Sequence, residues 1–480
     1  MVGGRCHLIA NEPDLSDQAA AEDYQRADKE VPMSPSRLLA LVAIALAVPV
    51  SPAFADPHTE ALPPDAVLQR FDGTAHVDDI ATDIAVDPVT GIAVVAGWVG
   101  SSPGAYDIGA VAYAADGSQL WQRVITAGEG FGKAVGIDSS RGIVYVAGDH
   151  FTDASGTNYL VTAYSLAGVQ LWQRRYDSGG GAAIYGLRVD EPRGRVLVTG
   201  QGGSSAQTIA YSSTGQQLWV AQYSEPNRQV FASDVAIDPR DGSVYLAAAA
   251  GGSGTYGFRV VAYTADGVRR WVDGLDPTSA STSSATVLEV EPATGTVYVV
   301  GFVSRPHTRH DVVTAAYTPS GTRTWMVNYD GFGSADAPTA MVLDPRSGRI
   351  FISANSSGPS GEDYLTLAYG PAGALLWADR QPATENGDNY PTDIAVDSSR
   401  GRVFVTGQTR LDQRGLDYAT VSYTVGGTYL GRSLYDGPPG GGSDTATALA
   451  VDLTRHTVWV AGRSQGDGGD EDWATIAYPG

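Results

Sequence analysis

The sequence predicts an all-β protein: a single closed eight-bladed β-propeller, four antiparallel strands per blade, with the last blade completed by the N-terminal strand. Three regularities of the 480-residue chain predict it. An acid closing an A-V-D-P-like figure recurs at Asp87, Asp138, Asp190, Asp238, Glu291, Asp344, Asp397 and Asp452, 48 to 55 residues apart. A tyrosine recurs with it, at Tyr113, Tyr164, Tyr211, Tyr263, Tyr317, Tyr369, Tyr423 and Tyr478. Six of these tyrosines are followed eight residues later by Trp121, Trp172, Trp219, Trp271, Trp325 or Trp377, with a glycine midway. Gly431 stands in the tryptophan place of unit seven.

Each unit reads as four strands. Leu187–Asp190 alternates, 191–194 turns, and Arg195–Gly200 alternates again. In unit two, YLVTAY and VQLWQRRY flank the turn SLAG. The D-P-x-x-G figure has turn chemistry: the Asp bonds backbone N–H groups ahead of it, Pro presets φ, and Gly accepts the left-handed position. The Tyr-x-x-x-Gly-x-x-x-Trp figure is a hairpin folded near its Gly, which places Tyr and Trp near one another across two strands. A four-stranded unit of about fifty residues cannot bury both faces alone, and stacking in a ring buries them. The aromatic rows are therefore expected as packing between blades. Unit eight supplies three strands, and VLQRFDG (Val67–Gly73) matches the fourth-strand segment WQRRYDSG of unit two.

The N-terminal segment is read separately. Residues 1–32 are polar and are expected to be an over-extended start or a long n-region. From Met33, Arg37, an apolar run Leu38–Val48 and the small-residue stop Ala53-Phe54-Ala55 have the layout of a signal peptide, so secretion with cleavage after Ala55 is expected. The apolar run is too short to span a bilayer. Residues 56–65 form a short linker, and 66–480 the ring. The only cysteine, Cys6, lies before the cleavage point, so no disulfide or thiol nucleophile is expected in the mature chain. That chain carries 27 basic and 46 acidic residues, a formal charge of −19. Such a surface repels nucleic acid and anionic lipid. A monomer without membrane insertion is expected.

Two of the four connections per unit are short and alike, and the other two are longer and varied. Alternate loops of an up-and-down blade share a side, so the variable loops gather on one face, where binding residues concentrate. Candidate ligand-binding residues there are Trp98, His150, His307 and His310. Near the start of the third strands stand Asp107, Asn158, Ser205, Gly257, Asp311, Asp363, Asp417 and Asp472. A second partial row, Asp83, Asp234 and Asp393, precedes the first strand. Both rows are expected to bond loop N–H groups, with oxygen ligation of Ca²⁺ as the functional alternative. The densest acidic stretch, Asp467–Asp472, makes Asp467, Asp470 and Asp472 the candidate Ca²⁺ ligands. No other cofactor is expected.

The units, on DIAVDPVTGIAVVAG, RGIVYVAG, YLVTAYSLAGVQLW and their copies, resemble the β-propeller repeats of secreted bacterial proteins of the quinoprotein-like and YVTN types. The resemblance covers 66–480 and implies fold more than activity, since propellers serve binding modules, hydrolases, lyases and dehydrogenases. Quinoprotein dehydrogenases often carry a vicinal disulfide and a basic residue at the cofactor. The mature chain has no cysteine, and Lys133 is its single lysine. It also lacks G-x-S-x-G, H-E-x-x-H and P-loop motifs. The leading expectation is a scaffold that binds a protein or carbohydrate through its variable face. A hydrolase or lyase with acidic residues at the channel mouth, and a quinone-dependent dehydrogenase, stay open as alternatives.

Overall fold

A computed structural model describes residues 62–480, apart from 126–128, 153–155, 180, 253, 277–281, 306–308, 332, 334, 360, 383–386, 411–414, 439–441 and 467. The expected signal peptide lies outside the described residues, as do His307 and Asp467. The rest is an eight-bladed propeller of four-stranded antiparallel sheets. Blades 1 to 7 span 80–125, 130–176, 183–223, 229–274, 282–329, 336–381 and 389–435. Blade 8 takes three strands from 444–479 and its outer strand, Val67–Phe71, from the other end of the chain. First strands line the axis: Arg188 of blade 3 reaches Asp234 of blade 4 at 3.2 Å and Glu289 of blade 5 at 4.0 Å.

The anchor acids are buried and close the turns. Asp87 accepts the N–H of Val89 and Thr90, and Asp452 those of Thr454 and Arg455. The turn glycine four residues on is left-handed in blades 1 to 7; in blade 8 His456 takes that place at φ 59°. His456 bonds Asp397 of blade 7 at 2.6 Å, so its side chain compensates an unfavourable backbone by tying two blades.

The aromatic figure works differently from the hairpin pairing expected for it. A register shift at Ala112/Tyr113 sets Trp121 opposite Ala112, and the same shift recurs in the blades that follow. Tyr and Trp of one hairpin therefore point to opposite sides of the sheet. Trp121 packs on Tyr164 of the next blade at 5.9 Å, Trp172 on Tyr211 at 6.0 Å and Trp271 on Tyr317 at 5.8 Å. Each indole Nε1 donates to a carbonyl in the next blade's hairpin turn: Trp121 to Leu166, Trp172 to Ser213, Trp219 to Ala265, at 2.8 to 2.9 Å. The ring lies flat against that turn's glycine. A Cβ built on Gly168 would sit 2.7 Å from Trp121, and one on Gly215 2.7 Å from Trp172. The glycine is needed both for its positive φ and for the space.

Of the two variable connections expected per unit, those between second and third strands are mostly taken up by longer strands, while those from one blade to the next run four to eight residues. Ala93–Ser102 pairs with Ala105–Tyr113 to its end, leaving 103–104 as the whole connection. Longer connections between second and third strands occur in blades 7 and 8, at 410–416 and 466–470.

The turn geometry makes a stability prediction. Gly168→Ala combines left-handed strain with a clash against Trp121 and should cost about 2–4 kcal/mol. Gly104→Ala has φ +79° but open space around it, and should cost only about 1 kcal/mol. Chemical denaturation of both variants measures the difference, which is the contribution of the indole contact.

Candidate functional site

Four aromatic rings meet on the variable face at the junction of blades 1 and 2. Trp98 and Tyr106 flank the tight connection of blade 1, while Phe131 opens the first strand of blade 2 and Phe151 nears the end of its second. Trp98 stands edge-on to Tyr106 and to Phe131, both at 4.9 Å, and Phe131 to Phe151 at 5.7 Å. Phe151 is exposed, and the other three are half-buried. The Lys133 ammonium lies 5.7 Å from the Phe131 ring centre and 3.8 Å from Asp149. Lys133 is the extra residue of a bulge that interrupts the first strand, and every blade has this bulge at the same place. The bulge takes its side chain out of the regular alternation of the strand, and it reaches Phe131 and Asp149. Apolar ring surface, one cation and one carboxylate thus adjoin.

The remaining sequence candidates do not join this cluster as a set. His150 is buried, 4% exposed, opposite Asn158. His310 lies in blade 5, stacked on Phe302 at 4.5 Å, and burial lowers its pKa, favouring the neutral ring. Asp470 and Asp472 do come together, with Asp72 of the N-terminal segment as third member; one oxygen of each lies within 4.8 Å of the others. Asp472 is engaged by Arg70 at 2.7 Å and Asp72 by His76 at 2.5 Å, so cationic side chains offset part of this charge. A second trio of the same kind is Asp417, Asp436 and Asp444.

Of the third-strand carboxylates, Asp363 and Asp472 bond arginine side chains. Asp363 pairs with Arg380 at 2.5 Å, in the position where Arg70 holds Asp472. The N–H role belongs to a row missed in the sequence, Asp79, Asp336 and Asp444, all fully buried. They accept the amides of Gly73, Gly331 and Gly437. The signal was present as a repeated aromatic-Asp-Gly followed by Asp: FDGTAHVDD, YDGFGSAD and YDGPPGGGSD.

Asp83, Asp234 and Asp393 lie inside the first strands, not before them, immediately after the bulge. Each accepts an N–H from the next blade's first strand: Val135 to Asp83, Leu288 to Asp234, Leu449 to Asp393. Bulge threonines add bonds of the same kind, Thr82 to the Gly132 carbonyl and Thr447 to that of Ala81. These channel carboxylates are thus structural cross-links around Arg188. Burial pushes Asp83 up to about 6, and Asp393 and Glu289 up to about 7.

No family model matches the chain, and no curated protein matches it. Solved structures do. The structure of the Dos1 propeller is similar with a TM-score of 0.55 at 9% identity, covering 86% of this chain and 95% of that one. A crystal structure of a protein from Lactobacillus plantarum gives 0.46 at 13%, covering 76% and 98%. The first likeness supports the propeller fold and nothing finer.

The carboxyls give a pH dependence with a definite sign. Asp79 and Asp149 are pushed up to about 6 by burial, as Asp83 is, and Asp393 and Glu289 to about 7. All lie above their unfolded values, so the fold binds more protons than the unfolded chain between those limits. Stability should therefore fall as pH rises from about 5 to about 8. Below about 4 the trend reverses, because Glu225, held at about 2 against burial by Arg259 and Tyr223, loses its bonds on protonation. Calorimetry across pH checks this, and Glu289→Gln should flatten the neutral limb.

Proposed function

We propose that the chain is a secreted, non-catalytic recognition scaffold that binds a carbohydrate or protein ligand through its variable face. The observation that carries the reading is the ring cluster of Trp98, Tyr106, Phe131 and Phe151 beside Lys133 and Asp149. Exposed aromatic surface edged by a few polar groups is the usual composition of a recognition site. A rigid ring of sheets supports it, which limits the ordering cost of binding. Export is supported by the Met33–Ala55 layout, and the repeat type we assign is that of secreted bacterial YVTN-like propellers.

Glycan and protein arrays probed with the purified full chain test the reading. Phe151→Ala and Lys133→Ala should each weaken capture of the positive ligand by about tenfold with little change in melting, since both side chains are substantially exposed. Trp98→Ala should weaken it further, with some loss of stability because the half-buried Trp98 ring packs on Tyr106 and Phe131 at 4.9 Å. Turnover of an arrayed polysaccharide, stopped by one carboxylate-to-amide change that spares binding, would replace the scaffold with an enzyme.

A further inference from the structure

On the opposite face, between blades 5 and 6, the short turns leave a cavity of about 500 Å³. Its origin is local and readable in the repeat. In blades 2, 3 and 8 an arginine of the first turn reaches across to the next blade: Arg141 to the Glu191 carbonyl, Arg193 to that of Pro239, Arg455 to that of Val89. Blade 5 has Glu291-Pro292-Ala293-Thr294 there and no arginine. Five residues after the anchor acid, Arg195 of blade 3 reaches the Ala265 and Gly242 carbonyls, and Arg349 of blade 6 reaches that of Val425. Blade 5 has Thr296. Before the outer-strand tryptophan stand Leu120, Leu171, Leu218, Arg270 and Leu376; blade 5 has Thr324. Three bulky positions are small in the same blade, and the groove they would fill stays open.

We propose that this cavity is a binding site for a neutral saccharide of one or two rings. Its volume falls within the span of about 300–1,000 Å³ common to ligand pockets. Trp325 forms one wall, and its Nε1 is already committed to the Pro371 carbonyl at 3.0 Å, so the ring is fixed and offers carbon surface. Glu291 is held by the Ala293 and Thr294 amides at 3.2 and 2.7 Å and by the Thr294 side chain, and its carboxylate keeps acceptor capacity for a ligand hydroxyl. Thr294 bonds Glu291 and shares a hydroxyl hydrogen bond with Thr296 at 2.8 Å, which leaves the Thr296 oxygen to accept. No lysine or arginine is among the lining residues, which disfavours an anion. An aromatic wall, a carboxylate acceptor and paired hydroxyls match a ring with an apolar C–H face and hydroxyl edges. The site is separate from the variable-face cluster and does not depend on the reading given to that cluster.

Calorimetric titration of the full chain with cellobiose and with maltose tests the proposal. At least one sugar should bind with a dissociation constant near ~1 mM, typical of a small shallow site. Thr324→Leu and Thr296→Arg each install a residue that sister blades carry at that position, so both should fold. Each should weaken binding at least about tenfold without lowering the melting temperature, while Trp98→Ala should leave it unchanged. No heat from either sugar at ~20 mM, or binding indifferent to both filling variants, overturns the site. Loss of binding in Trp98→Ala alone would move the sugar to the variable face, and binding of choline in place of both sugars would overturn the ligand class.

Discussion

Each of blades 1 to 6 is tied to the next by an indole laid on a turn glycine, and the ring depends on that contact. It joins local and long-range requirements in one place. The glycine folds its own hairpin, because only it adopts a φ near +80° without strain. The same missing Cβ admits the ring of the preceding blade. The Nε1 proton then satisfies a turn carbonyl, worth about 1 kcal/mol per junction, and the ring excludes water from the bond. Substituting either partner breaks both levels at once, which explains why the eight-residue spacing is held so strictly.

The exceptions obey the same rule. No hairpin joins the third and fourth strands of blade 8, because the fourth comes from Val67–Phe71. There is no turn glycine for an indole of blade 7 to cover, and that is where Gly431 replaces tryptophan. Between blades 8 and 1 the turn glycine, Gly117, is present, and Val67 lies against it with Cγ1 2.6 Å from a built Cβ. A valine fills less volume than an indole. Trp459 of the second strand supplies the missing ring, stacking on Tyr113 at 6.3 Å. Arg70 completes the closure by bonding Tyr435 of blade 7 and Ser464 and Asp472 of blade 8.

Blade number, strand count and closure were legible because they rest on periodic residues with a fixed spacing. What the spacing could not show was direction. A Tyr and a Trp eight apart are consistent with a cross-strand pair, and the bulge at Ala112/Tyr113 that turns them to opposite faces leaves no mark in composition. The first-strand bulge likewise moved Asp83, Asp234 and Asp393 from an expected loop into the axis, where they link blades. Trp98 was legible as an isolated aromatic in a variable segment. Its partners Tyr106, Phe131 and Phe151 were not, because they converge from two blades and share no spacing. The acidic stretch at 467–472 was legible as charge, while Asp72, its third member, arrives from nearly four hundred residues away in the chain.

A repeat scaffold hides its specific chemistry in departures from the repeat. The face with uniform turns looks structural while its units are compared for what they share: acid, proline, glycine. The same turns compared for what they lack single out blade 5. Asp becomes Glu, the crossing arginine of blades 2, 3 and 8 becomes Ala293-Thr294, the Arg of blades 3, 6 and 7 becomes Thr296, and the Leu of most blades becomes Thr324. None of these changes touches the elements that hold the ring. Glu291 still closes its turn through the Ala293 and Thr294 amides, and Trp325 still bonds the next blade. A blade can therefore lose its groove-filling side chains without losing its junction, because the indole contact and the apolar packing between the sheets remain. That division of labour lets one of eight near-equivalent interfaces open a cavity while the ring keeps its geometry.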